Sequence, residues 1–150
     1  MEIVKYKKTN SSLYTQTLAL RDEILRRPLG LSIYDENLSY EVENIFFGAL
    51  ENGKLIGTLN YFVKEPQTAQ LCAFAVKNER QKSGIGSQLV VQLFDELQQL
   101  NFEKCIVEAR DTAVGFYQKQ GFTVTAGPIK NLKTTCDDFM MRVEFYKPSR

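Results

Sequence analysis

The spacing of hydrophobic positions changes several times along the chain, and each change predicts an element. Residues 2–8 alternate, with Ile3 and Lys5 opposite Val4 and Tyr6, as a strand does. Asn10, Ser11 or Ser12 then caps a helix running to about Arg26. Tyr14, Leu18 and Leu25 share one face of it, with Thr17, Arg21 and Ile24 beside them. Pro28 and Gly30 end it. Residues 29–43 read as a loop with room for one helical turn. They hold Asp35, Glu36, Glu41 and Glu43. We favour a solvated loop for that acidic group over a lip that draws a cationic acceptor.

Residues 45–50 and 55–63 are strands joined at Glu51-Asn52-Gly53-Lys54, because Asn-Gly takes the two positive φ values of a type I′ turn. Pro66 marks the next turn, and residues 68–76 the next strand, which completes an antiparallel meander. Gly57 marks either a bulge or a close backbone approach. The strongest helical pattern covers residues 87–100. Its stripe begins at Ile85 and continues through Leu89, Leu93, Leu97 and Leu100, widened by Val90 and Phe94. Residues 105–109 form a short apolar strand, so strand, helix and strand make a right-handed parallel crossover. Asp111 caps a second helix over residues 112–120. Gly121 fits its left-handed C′ position and Phe122 the apolar contact beyond. The last strands, 122–125 and 139–145, are antiparallel and joined by a loop over 126–138. No repeat or linker interrupts the chain, and all 150 residues fall in one domain.

The chain turns on residues 76–87, between a strand and the strongest helix. Two glycines one residue apart, Gly84 and Gly86, sit there beside Arg80 and Lys82. Helix N-termini present N–H groups that lack intrahelical partners, together with the positive end of the dipole. Glycine lets an anion approach them. The junction therefore reads either as a phosphate site or as an ordinary strand-to-helix turn. It has no Gly-Lys-Ser/Thr, so it is not a Walker loop. Position 89 is Leu rather than a third glycine, so it is not a dinucleotide fingerprint.

Composition removes other chemistries. There is no histidine, which excludes Ser-His-Asp and Cys-His nucleophilic mechanisms and the commonest metal ligand. The three cysteines, Cys72, Cys105 and Cys136, are scattered singly, so neither a disulfide nor a metal site is expected. With a net charge of +1, bulk charge draws the chain to neither nucleic acid nor a membrane. No apolar run reaches the length of a membrane span, and no signal-type stretch follows Lys5, Lys7 and Lys8. The expected location is cytoplasmic.

Two blocks then stand out together. One is Gln81-x-x-Gly84-x-Gly86, after a strand ending in Val76. The other is Ala113-x-x-Phe116-Tyr117-x-x-x-Gly121-Phe122. In order, separation and context, from about residue 45 to 145, the chain resembles the GNAT superfamily of acyl-CoA-dependent N-acetyltransferases. The resemblance implies a mixed α/β fold. Its sheet is mostly antiparallel, with about six to seven strands, flanking helices and a splayed parallel pair in the middle. It implies acetyl-CoA as cosubstrate, with Gln81 among the residues that bind it and the pyrophosphate on the N–H groups of Lys82, Ser83, Gly84, Ile85, Gly86 and Ser87. Phe74 and Val76 would pair with the pantetheine amides where their strand splays from residues 105–109. The N–H of Phe74 or Ala75 would hold the oxyanion.

Tyr117 matches the tyrosine that gives a proton or hydrogen bond to the departing thiolate. Read from the residues alone, it is equally a core tyrosine on a short helix. Arg110 stands where many members carry Asn, and either reaches the cofactor or is exposed. The strand over residues 71–76 lacks the carboxylate that often serves as base. Glu108 on the neighbouring strand is the candidate instead, against a reading as a surface or paired carboxylate. Glu41 and Glu43 rank lower, and an amine already neutral needs no base. Cys72 is not expected to act as a nucleophile, since the family transfers directly.

The implied partner is a primary amine on a small molecule or peptide, with a homodimer through an edge strand near the C-terminus also open. The acidic residues of 35–43, with Asp137 and Asp138, tilt the acceptor toward a cation. Two alternatives stand: a catalytically silent acyl-CoA-binding module, and a different nucleotide-binding α/β protein. The missing Walker lysine and the antiparallel first half count against the latter.

Overall fold

The computed structural model describes residues 1–145. The five residues after Phe145, which the single-domain expectation includes, lie outside the described residues. The strands are β1 (Glu2–Tyr6), β2 (Ile45–Glu51), β3 (Lys54–Glu65), β4 (Thr68–Val76), β5 (Lys104–Arg110), β6 (Thr123–Lys130) and β7 (Asp137–Glu144). The α-helices are α1 (Ser11–Arg21), α2 (Ile85–Gln99) and α3 (Val114–Lys119). The sheet has seven strands in the order β1-β2-β3-β4-β5-β7-β6. The pairs β1–β2, β2–β3, β5–β7 and β6–β7 are antiparallel, and β4–β5 is parallel. This is the mixed, mostly antiparallel architecture expected. Contacts divide the chain into two units: Met1–Phe62 with Ala73–Leu93, and Val63–Cys72 with the chain from Phe94 on.

In the first unit the β2–β3 hairpin turns at Asn52 (φ 52°) and Gly53 (φ 77°), as a type I′ turn requires. The register then slips: Ala49 pairs with Gly57 but Leu50 with Leu55, which leaves Ile56 as a bulge. A Cβ on Gly57 would lie 3.1 Å from both Ile85 Cγ2 and Leu89 Cδ1. Both readings of Gly57 therefore hold. It adjoins a bulge, and it is the floor on which the first turns of α2 rest.

Asn10 is the cap of α1, its Oδ1 accepting from the Leu13 N–H at 3.2 Å. The helix continues to Arg26 as expected, but Asp22–Arg26 is a π-helical turn, followed by a 3-10 turn, Arg27–Leu29, and left-handed Gly30. Its buried side is Tyr14, Thr17, Leu20 and Arg21, while Leu18 and Leu25 are only half-buried. The expected face was centred too far toward the leucines. Thr17 and Arg21 go inside because buried partners await them. Thr17 Oγ1 lies 2.5 Å from Tyr6 Oη, and Tyr6 Oη lies 3.0 Å from Thr58 Oγ1.

Arg21 corrects a second expectation. The segment after α1 is not a solvated acidic loop. It carries two 3-10 turns, Ile33–Asp35 and Ser39–Glu43. Arg21 and Glu41, each 2% exposed, form a two-pronged pair: Nη1 donates to Oε1 at 3.0 Å and Nη2 to Oε2 at 2.9 Å. Tyr14 Oη also donates to Oε1, at 2.8 Å. Glu36 accepts from Arg26 at 2.5 and 3.2 Å. Asp22 Oδ1 accepts from the Ile33 N–H at 2.8 Å. These carboxylates bind the segment to α1, which weakens the case for a cation-drawing lip.

In the second unit, β4 pairs with β5 from Thr68↔Lys104 to Leu71↔Val107. β7 lies between β5 and β6. β6 runs to Lys130 instead of ending at Thr125, so the connecting segment is only 131–136. Two register shifts carry Gly127-Pro128 inside the strand, where a loop was expected.

Both central helices end in Schellman motifs. At α2, Phe102 N–H donates to Leu97 O and Asn101, at φ 63°, to Gln98 O. The apolar cap is thus buried Phe102, while Leu100, expected on the stripe, is 57% exposed. The helix also starts at Ile85 rather than residue 87. At α3, Phe122 N–H donates to Tyr117 O at 3.1 Å and Gly121 N–H to Gln118 O at 3.0 Å. Asp111 is not a cap as expected: it is the first residue of a 3-10 turn, Asp111–Ala113, whose N-cap is Arg110. Asp111 Oδ1 accepts from Thr112 N–H at 2.7 Å, and α3 begins at Val114.

Glu41→Leu strands the Arg21 guanidinium without its carboxylate and should lower stability by about 3–5 kcal/mol in urea unfolding. Arg21→Met with Glu41→Leu should recover most of that loss, because two apolar side chains replace a buried pair without leaving a charge behind.

Candidate functional site

Within the first unit the sequence-predicted residues form a continuous turn. Ala75 is 2% exposed and packs with Leu20 and Leu55, with Ile24, Leu25 and Leu50 around them. Phe74 and Val76, to either side, are half-buried. Ala73 has φ 51°, a left-handed residue inside a strand, two positions after the β4–β5 register ends. A side chain in that conformation costs about 1–2 kcal/mol, and it re-aims the backbone groups that follow. No residue type marks this in the sequence, because alanine gives no signal of positive φ.

After β4, the Lys77 N–H donates to Ile56 O at 2.9 Å, and Asn78–Arg80 makes a 3-10 turn. Lys82 (φ 67°) and Gly84 (φ 90°) are both left-handed, so the chain alternates hand just before α2. Such alternation turns successive N–H groups to one side as an anion nest. The first turn of α2, with Ile85, Gly86 and Ser87, adds helix-start N–H groups and the positive end of the helix dipole. A Cβ on Gly84 would meet nothing within 4 Å, so space lies open before the turn. Ile85 is 4% exposed and points its side chain into the core, leaving only its backbone for a ligand.

Lys82 and Ser83 are exposed, and Ser83 Oγ donates to Arg80 O. Gln81 is exposed but its amide is turned inward, to Val76 and Asn78. Arg80, expected to add charge to this turn, is ion-paired with Glu51 at the end of β2. Lys77 pairs with Glu23 of the π turn at 3.5 Å. Nothing in the sequence marks Glu51 as Arg80's partner.

In the second unit, Tyr117 is 6% exposed. Its ring meets those of Phe116 and Phe122 edge-on, each at a centroid distance of 5.4 Å. Burial above all, and then the thiols of Cys105 and Cys72, hold its phenol well above the usual tyrosine range. It is therefore a neutral O–H donor at any physiological pH. Cys105 is fully buried, and burial pushes its thiol up to about 12. Glu108 is exposed and alternates with buried Cys105, Val107 and Ala109, so it lies on the opposite face of β5 from Cys105. Arg110, half-buried at the end of β5, stands opposite Asp138 in the β5–β7 register. Tyr117, Cys105 and Cys72 thus share one environment, from which the other face of β5 carries Glu108 away.

Among the described residues no group of three His, Cys, Asp or Glu side chains could hold a metal ion, and no helix is long and apolar enough to cross a membrane.

The acetyltransferase (GNAT) family profile matches residues 14–122, most of the chain. The chain belongs to the GNAT acetyltransferase family. No curated protein matches it in sequence. Solved structures share its fold at low identity. Escherichia coli ElaA matches with a TM-score of 0.80 and 15% identity, over 95% of this chain and 99% of that one. The ribosomal-protein-S18-alanine N-acetyltransferase from Escherichia coli matches with 0.74 and 17%, over 99% and 96%. An aminoglycoside 6′-N-acetyltransferase complexed with coenzyme A matches with 0.75 and 17%, over 99% and 100%.

A thiol reagent applied to the folded protein should leave Cys105 unmodified while labelling Cys72 and Cys136, both partly accessible, and all three should label in denaturant. Peptide mapping of the labelled protein reads this directly. Prompt labelling of Cys105 in the native state would contradict its placement beneath Tyr117.

Proposed function

We propose that this protein transfers an acetyl group from acetyl-CoA directly to a primary amine. The observation that carries the reading is the left-handed pair Lys82 and Gly84 at the head of α2, directly after a strand re-aimed at Ala73. The N–H groups from Lys82 to Ser87 receive the pyrophosphate, that of Ser83 by giving up its 3.3 Å bond to Arg80 O, with the Lys82 ammonium adding charge. Phe74 and Val76 offer backbone groups to the pantetheine amides, and the N–H of Phe74 or Ala75 receives the oxyanion. One lone pair of the Val76 carbonyl is already engaged by Gln81 at 3.0 Å, so the second is the one on offer. Arg110 supplies a further cation toward the cosubstrate. The whole chain serves as one catalytic domain, in the cytoplasm, and β6 is the edge through which a homodimer would form.

In the reaction the amine nitrogen bonds to the thioester carbon, the carbon–sulfur bond breaks, and the nitrogen gives up a proton. Tyr117 donates a hydrogen bond to the departing sulfur. Complete proton transfer from a phenol above pKa 10 to a thiolate of about 8.5 is uphill by roughly 2 kcal/mol or more. Tyr117 therefore stabilises the developing thiolate, and the proton that finally rests on sulfur comes from solvent. Glu108 lies on the face of β5 opposite Cys105, away from Tyr117, so the amine proton leaves to water, and an amine that arrives neutral needs no protein base. The absence of a carboxylate on β4 favours, as a second reading, a silent acyl-CoA-binding module.

Acetyl-CoA at about 100 times its dissociation constant should add roughly 2.7 kcal/mol to wild-type stability, seen as a rise in Tm. Gly84→Glu, which strains a φ of 90° and sets a carboxylate at the nest, should fold and lose that rise. No rise in a folded wild type would sink the cofactor reading.

Tyr117→Phe keeps the ring contacts and should lower kcat by about a hundredfold with the acetyl-CoA affinity nearly unchanged. Thiol release with a panel of primary amines provides the assay. A Tm rise without turnover on any amine would favour the silent module.

A further inference from the structure

The turn between β4 and α2 is closed by one side chain. Gln81 Nε2 donates to Val76 O at 3.0 Å and to Asn78 Oδ1 at 3.2 Å. Val76 is the last residue of β4, and Gln81 immediately precedes left-handed Lys82. The bond therefore fixes the end of the strand against the start of the anion-facing turn. The turn's backbone bonds are local, Arg80 N–H to Lys77 O, Gln81 N–H to Asn78 O and Ser83 N–H to Arg80 O, and they do not span that distance.

A primary amide has two N–H donors, and both hydrogens of Gln81 have acceptors inside the turn. What it can show to solvent is its carbonyl oxygen, which repels a phosphate. Lys82, meanwhile, is a non-glycine residue at φ 67°. Such a conformation is unfavourable by about 1–2 kcal/mol and persists only where its surroundings over-determine it. The Gln81 clasp ends one residue before it.

We propose that Gln81 is a positioning residue: its amide ties Val76 to the turn and holds Lys82, Ser83 and Gly84 in the anion-accepting conformation, without touching the cosubstrate. This rests on the cofactor reading above, but it reassigns Gln81 from a ligand of the pyrophosphate to a brace for those that are.

The test compares wild type with Gln81→Leu (similar reach, no donor), Gln81→Glu (acceptor only) and Gln81→Arg (N–H donors long enough to reach Val76 O). Two quantities are read on the same samples: backbone nitrogen relaxation of residues 78–86 in the ligand-free protein, and the dissociation constant of coenzyme A. Gln81→Leu and Gln81→Glu should loosen residues 81–84 before any ligand is added and weaken coenzyme A by about three- to tenfold, the range of one hydrogen bond. Gln81→Arg should restore both. Weaker binding with an unchanged free turn would overturn the proposal in favour of a direct contact. Unchanged binding in Gln81→Leu would overturn it outright. Failure of the wild type to bind coenzyme A would overturn the cofactor reading and the role assigned to the clasp, while the relaxation data would still report whether the clasp holds the turn.

Discussion

Parallel strands are joined by evenly spaced N–H···O=C bonds, and β4 keeps this register with β5 only as far as Leu71. Two residues later Ala73 sits at φ 51°, and the rest of β4 belongs to the first unit. A strand that merely continued would give all of its edge to a neighbour. A strand turned by a left-handed residue has N–H and C=O groups aimed elsewhere, and a site that must bind a flat chain of amides uses such groups. The strain at Ala73 is local and modest, and the buried residue two positions on fixes the strand beyond it. Ala75, 2% exposed, is that residue.

What fixes Ala75 lies far off in sequence. Leu20, Ile24 and Leu25 pack around it and come from the end of α1 and from the π turn. A π turn shifts the residues beyond it by about one position relative to an α-helix, so these contacts depend on where that turn is pinned. Three clasps pin it: Arg21 to Glu41, Arg26 to Glu36, and Asp22 to the Ile33 N–H. A buried ion pair adds little stability compared with an apolar pair of the same size. Its directional bonds do specify a position, and here the position is that of the helix end against the strand proposed to hold the thioester.

Much of this was legible from local patterns. Asn52-Gly53 announced the hairpin, the stripe from Ile85 announced α2, and Gly121-Phe122 announced the cap of α3. In each, the residue type and the backbone it requires lie within a few positions of one another. Two of the failures share one cause, a partner outside the local pattern. Glu41 reads as a solvated carboxylate until Arg21 is known to be buried beside it. Residues 126–130 read as part of a loop until β7 is known to run alongside β6. In the site, the turn over residues 81–87 was legible because glycine spacing reports backbone conformation directly. The left-handed Ala73, the inward amide of Gln81 and the Arg80–Glu51 pair carry no such mark.

Tyr117 shows how far position alters the role of a familiar residue. An exposed tyrosine ionises near pH 10 and could exchange a proton with a thiol at little cost. Buried against Phe122 and the Cys105 thiol, Tyr117 holds its proton more tightly, because burial strips the anion of its hydration. The same burial strengthens the hydrogen bond it can offer, since a dipole in a dry environment is not screened. In the reaction proposed above, such a group stabilises charge on sulfur as it develops rather than neutralising it afterwards. Phe122, the last residue of the Schellman cap of α3, secures that burial.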